Sequence, residues 1–115
     1  PHCVVLVKNI NSIDYERLGP KLVKHSLFPN QANITFVEKI NSQSIKVLFW
    51  ERGGGHTLAC GSGTCATAFV LHHNNLVGPK IRIKTEQSFL ETDIQDKMVY
   101  LKGPAEIVYQ SVIQL

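Results

Sequence analysis

Apolar residues recur along this chain in two rhythms, and each rhythm predicts a kind of element. Val4 to Val7 is a short, wholly apolar, β-branched run that reads as a buried strand, with Cys3 belonging to its packing. Asn33 to Glu38 alternates, with Ile34 and Phe36 on one side, and Ser44 to Trp50 is similarly strand-like. The polar Asn41-Ser42-Gln43 between them predicts an antiparallel hairpin. Between the first strand and this hairpin, Leu18, Leu22 and Val23 fall at helical spacing, interrupted by Gly19-Pro20. Proline fits the first turn of a helix and not its interior, so the pattern predicts one turn before Gly19, a helix starting at Pro20 and an end at Pro29.

Trp50 to Ala66, WERGGGHTLACGSGTCA, breaks both rhythms: it holds the only Trp, two of the three Cys and five of the eight Gly. Gly53 to Gly55 predict a sharply bending loop. Cys60-Gly61-Ser62-Gly63 then opens CATAFVL, apolar nearly all round, which predicts a buried helix from Gly61 to His73 with Asn74-Asn75 as its exit. From Pro79 onward the pattern is all strand: KIRIKT, SFLETDI, MVYLKG and AEIVYQSVI, separated by Glu86-Gln87, Gln95-Asp96 and Gly103-Pro104. The order β-α-β-β-α-β-β-β-β, with hairpin-length connections, predicts an α+β fold whose mainly antiparallel sheet wraps the buried helix.

Composition narrows the class. At 115 residues, 43% hydrophobic and 18% charged, the chain is folded and at most one domain. The net charge of +3 is a weak excess, and Lys80, Arg82 and Lys84 alternate as the solvated face of one strand would, which argues against a nucleic-acid partner. Three cysteines do not make a disulfide framework, which points to a reducing cytoplasm. No apolar run approaches the roughly 18 residues of a membrane span, so no membrane partner is expected. The chain starts at Pro1 in a strand-like run, as a piece of a longer protein would.

The candidate chemistry gathers at Cys60. A cysteine at a helix start faces unpaired backbone N–H groups and the positive end of the macrodipole, a field that favours thiolate. Cys65 lies five residues on, about 140° around a helix, and reads as a packed core thiol. Gly61 and Gly63 leave amides bare for a bound anion such as a carboxylate. Glu51 and Arg52 enter the glycine loop together, and since adjacent strand residues face opposite ways, an irregularity is needed for both to serve one pocket. Other motifs fit poorly. A P-loop needs a Lys after Gly63, a serine-hydrolase elbow needs Gly where Cys60 stands, and His72-His73 point about 100° apart, so no metal site is expected.

Together these residues resemble the C-terminal half of diaminopimelate epimerase, the pyridoxal-independent epimerase of lysine and peptidoglycan biosynthesis. The family pattern Glu-Arg-Gly-x-Gly-Glu-Thr-x-Ala-Cys-Gly-Ser/Thr-Gly matches Glu51 to Gly63 at all fixed positions but one. Pro1-His2-Cys3-Val4, Leu18-Gly19-Pro20, Phe28-Pro29, Asn33-Ile34 and Gly103-Pro104-Ala105-Glu106 extend the similarity over nearly the whole chain.

The resemblance implies two pseudo-symmetric domains, each a strongly curved sheet around a central helix, with the site in the cleft between them. Residues 1–115 would be the C-terminal domain, and the N-terminal half of the same protein would be its partner, with a homodimer left open. Two cysteines, one per domain, would act on opposite faces of the α-carbon of diaminopimelate without any cofactor, converting the LL form to the meso form. Cys60 matches the C-terminal member. The Gly61 and Ser62 amides would hold the α-carboxylate, Glu51 the amino group, Asn33 and Arg52 the distal carboxylate and stereocentre, and His2 would stand near the thiols. Two departures stand out: His56 replaces the family's second Glu, and the N-terminal half with its cysteine is not in this sequence, so the isolated chain is expected to be inactive. Another racemase or isomerase of the superfamily, or a non-catalytic module holding a small anion, are the alternative readings.

Overall fold

A computed structural model describes residues 1–115. The elements run β1 (His2–Val7), α1 (Tyr15–Val23), β2 (Asn33–Asn41), β3 (Ser44–Glu51), β4 (Gly55–Thr57), α2 (Gly61–His73), β5 (Lys80–Lys84), β6 (Phe89–Gln95) and β7 (Met98–Lys102), with one 3-10 turn at Ile10–Ser12. The sheet order is β1-β2-β3-β5-β6-β7, with β4 also on β3. β1 with β2 and β3 with β5 are parallel, while the other pairings are antiparallel. The fold is therefore α+β, with a mainly antiparallel, open sheet.

The two parallel connections decide where the helices go. Each steps the same way across the sheet, but β3 runs opposite to β2, so two crossovers of the same, right-handed sense place their helices on opposite faces. The core divides accordingly. Val37, Ile45, Val47, Phe49, Ile81 and Ile83 meet Ala68 and Leu71 of α2. On the other face Ile34, Phe36 and Leu48 pack with Val23 of α1, joined by Trp50 and Leu18. β2 and β3 are thus covered on both sides, and burying Phe36 and Phe49 alone contributes about 1.5–3 kcal/mol each.

Helix α2 spans the expected residues and has Asn74 as its C-cap. The Asn75 N–H donates to the His72 carbonyl, and the left-handed conformation of Asn75, at φ 58°, turns the chain so that the Leu76 N–H reaches the Leu71 carbonyl. The helix is buried along Gly63, Thr64, Thr67, Ala68 and Leu71, whereas Phe69 and Val70 remain exposed. The basic stripe on β5 is solvated as expected, with Ile81 and Ile83 buried between Lys80, Arg82 and Lys84.

Three local expectations are corrected. The first helix begins at Tyr15 and carries Pro20 inside it, capped by Asp14, whose carboxylate accepts from the Arg17 N–H. Pro20 and Glu16 both face solvent, so the carbonyl deprived of its donor can be hydrated. Gly19 is a packing residue, since a Cβ there would fall 2.4 Å from Cδ2 of Trp50. The second correction is the added strand β4, where the pattern predicts only loop; the sharp bend at Gly53 to Gly55 is as expected. That bend is the tight turn of a hairpin, with Gly53 and Gly55 at positive φ and Glu51 paired with Gly55. Finally, AEIVYQSVI forms no strand, and Ile107, Val108, Tyr109 and Val112 stand in solvent. A strand persists only when a neighbour takes up its N–H and C=O groups, and none lies beside this segment.

Candidate active site

Register brings three of the sequence-selected residues into one row. His2 opens β1 opposite Asn33, which opens β2. Ile34 pairs with Trp50, so Asn33 lies beside Glu51 at the end of β3. Side chains alternate along each strand, and Val4, Val37 and Phe49 all pack on the α2 side. By the same parity His2, Asn33 and Glu51 project to that side, at one end of the sheet.

The turn resolves the difficulty of two adjacent charged residues. Arg52 lies beyond the strand, where its N–H donates to Asn33 Oδ1 at 2.9 Å and its Nη1 donates to the Asn30 carbonyl at 3.0 Å. Glu51 is held from the other direction, by Thr57 Oγ1 donating to its Oε1 at 2.7 Å. Thr57 escaped the sequence reading. The signal was there in the motif spacing, because a two-stranded return across three glycines sets Thr57 diagonally opposite Glu51.

His2 is half-buried and its Nδ1 has no hydrogen-bond partner. Burial pushes its pKa below the ordinary 6.5; Arg52 pushes the same way, and Glu51 opposes them. No hydrogen bond joins His2 to Cys60.

Cys60 is the N-cap of α2 itself, with φ −147° and ψ 107°. The Gly63 N–H donates to its Sγ at 3.3 Å, and Ser62 Oγ lies 3.5 Å from the sulfur. The N–H groups of Gly61 and Ser62, first in the helix, have no intrahelical acceptor, and both residues are exposed. Gly63 packs on Phe49, two residues before Glu51, which brings this helix end to the same end of the sheet as the row. A donor set of bare amides, an acidic and a basic side chain, and a thiol can bind an anion, orient an ammonium group and move a proton at carbon.

The other cysteines differ. Burial pushes the Cys3 thiol up. Burial also pushes the Cys65 thiol up, with the charge of Cys60 adding to it. Cys65 is half-buried at the margin of the core, and because Cys60 has extended, not helical, dihedrals, the helical-wheel angle between the two does not apply. His56 pairs with Glu86 and packs against Tyr15, the ring centroids 4.9 Å apart and the planes tilted by 45°.

A domain of this architecture occurs in solved structures. The chain superposes on a phenazine biosynthesis protein of the PhzF family from Enterococcus faecalis with a TM-score of 0.70 and 18% identity, covering 88% of this chain and 36% of that one. A phenazine biosynthesis PhzC/PhzF protein from Clostridium difficile gives 0.66 at 21% identity, covering 86% and 36%. At such identities the likeness defines a class of fold, an open α+β sheet with a helix on each face. Sequence is more particular: the diaminopimelate epimerase family model matches residues 1–108, and the chain belongs to that family. It is 39% identical to a diaminopimelate epimerase of Phocaeicola vulgatus, over all of this chain and 42% of that protein. It is 38% identical to one from a Cyanothece species, over 98% of this chain and 41% of the relative. The chain thus spans about two fifths of the length of the curated relatives it matches.

Proposed function

We propose that this chain is the C-terminal domain of a cofactor-independent epimerase and supplies one wall of its active site. The substrate is diaminopimelate, whose LL and meso forms differ at one α-carbon. The observation that carries the reading is the convergence of Cys60, the bare Gly61 and Ser62 amides, and the row His2, Asn33 and Glu51 at one end of the sheet. In this assignment the Gly61 and Ser62 amides hold the α-carboxylate, Glu51 the α-ammonium group, and Arg52 with Asn33 the distal carboxylate and stereocentre.

The chemistry follows from these groups. Inversion at carbon needs a base on one face and an acid on the other. Cys60, as thiolate, removes the α-proton and becomes a thiol; a second thiol, from the N-terminal half of the protein, gives a proton to the opposite face. In the reverse direction the two exchange roles. Negative charge developing at the α-carbon spreads into the carboxylate, where helix-end amides stabilise it by roughly a hundredfold in rate or more. The Gly63 N–H bond to Sγ is stronger to a thiolate than to a thiol, which supports Cys60 as a base. In this assignment His2, unpartnered at Nδ1, stands near the thiols and helps set their protonation. A planar guanidinium at Arg52 selects substrates with a second carboxylate.

A cleft of about 570 Å³ lies elsewhere, over Lys80, Arg82, Glu91, Asp93 and Tyr100 on the opposite face of the sheet. The site assigned here is one wall only, and one wall encloses little volume. The N-terminal half supplies the other wall. The test is proton exchange by the intact enzyme in deuterated water. Deuterium should enter the α-carbon of diaminopimelate, and Cys60→Ala and Cys60→Ser should abolish it, with the isolated 115 residues inactive. Binding of diaminopimelate without exchange would instead identify a binding module.

A further inference from the structure

The hairpin that carries Glu51 and Arg52 is weakly built. β4 has three residues, and its turn contains Gly53 and Gly55 at positive φ. One backbone bond closes the turn, from the Gly54 N–H to the Glu51 carbonyl at 3.3 Å. Glycines raise the entropy of the open state, so such a hairpin frays unless something outside it holds it.

That hold is at His56. β4 and β5 lie end to end along one edge of β3, β4 beside Phe49–Glu51 and β5 beside Ser44–Lys46. Glu86, just past the end of β5, bridges the gap: the His56 Nε2–H donates to Glu86 Oε2 at 2.5 Å. The His56 ring also packs against Tyr15 of α1, which in turn lies 6.3 Å from the Trp50 ring that His56 faces across the ladder. Lys46 and Lys84 line the same crevice as Glu86. Hairpin, helix and β5–β6 turn are therefore joined through one imidazole.

We propose that His56 is a positioning residue, locking the β3–β4 hairpin to Glu86 so that Glu51 and Arg52 keep a fixed aim at substrate. The proposal rests on the site assignment above. It also assigns a consequence to the one departure from the motif. A carboxylate at position 56, as the family pattern carries, would face the Glu86 carboxylate in this chain, so His56→Glu should open the hairpin and the double change His56→Glu with Glu86→Lys should close it again.

Amide hydrogen exchange on this chain tests the lock without reference to activity. Glu86→Ala and His56→Glu should speed exchange of the Arg52 and Gly54 amides at least about fivefold, with Ile81 and Ile83 unchanged as folding controls, because losing one tie of this kind shifts a local opening equilibrium by about that factor. His56→Gln, which keeps a donor, and the charge-swapped pair should recover most of the protection. Exchange within twofold of the parent in Glu86→Ala would overturn the lock. In the intact enzyme Glu86→Ala should raise KM for diaminopimelate about tenfold with kcat within threefold of the parent; a loosened hairpin with unchanged KM would overturn the positioning role. If the parent shows no epimerisation while exchange responds as described, the assigned reaction fails and the lock stands.

Discussion

The Gly63 amide donates to Sγ of Cys60 at 3.3 Å, and a Cβ added at Gly63 would stand 3.2 Å from that sulfur and 3.1 Å from Cε1 of Phe49. The glycine therefore sets how closely thiol, helix end and β3 approach. Phe49 is only 2% exposed and has nowhere to move. Gly63→Ala should cost about 1–3 kcal/mol by overpacking, read as a lower urea midpoint. An unchanged or higher midpoint would show that the close approach is not required.

Gly19 gives the same kind of test in helix α1. Alanine is worth about 1 kcal/mol more than glycine inside a helix, so propensity alone predicts stabilisation. A Cβ 2.4 Å from Cδ2 of Trp50 predicts the opposite. Gly19→Ala should lower stability and shift the emission of Trp50, the only tryptophan, to the red. A more stable variant with unchanged fluorescence would refute the packing role.

Alkylation separates the three thiols. Burial raises Cys3 and Cys65, which leaves them mostly protonated at neutral pH, whereas Cys60 accepts an amide hydrogen bond at a helix end. Iodoacetamide near pH 7.5 should label Cys60 about tenfold faster than either of the others, as read by peptide mass mapping. Equal rates would remove the argument for a nucleophilic thiolate.

His2 makes stability depend on pH. Its folded pKa lies below 6.5, because burial disfavours the charged imidazole. The unfolded chain then binds the proton first, so the stability from neutral His2 is complete above pH 6.5 and is lost as pH falls through the folded value. Between pH 7.5 and 5 the parent should lose more unfolding free energy than His2→Gln. Parallel curves for the two proteins would show that His2 titrates freely.

Much of this was legible in the chain. β2 and β3, with polar Asn41-Ser42-Gln43 between them, and α2 with its asparagine exit were readable because each is dictated by residues within a few positions of one another. The same holds for Cys60 with its glycines. Pro20 misled the reading because its cost depends on which face it occupies, and that face is chosen by the contact of Gly19 with Trp50, thirty-one positions away in sequence. The apolar alternation of Ala105 to Ile113 misled it for a related reason: alternation describes a strand's two faces and says nothing about whether a neighbouring strand is present.

The sequence by itself determined most of the element types, the family, and the residues with candidate chemistry, since periodicity, glycine placement and motif spacing are local properties. Only the tertiary structure decided that His2, Asn33 and Glu51 form one row, that Arg52 joins them from a turn, and that His56 reaches Glu86. Those relations depend on register and on the reversal of β3 against β2. Register is set by side chains far apart in the chain that must share a face, and no single segment contains that information.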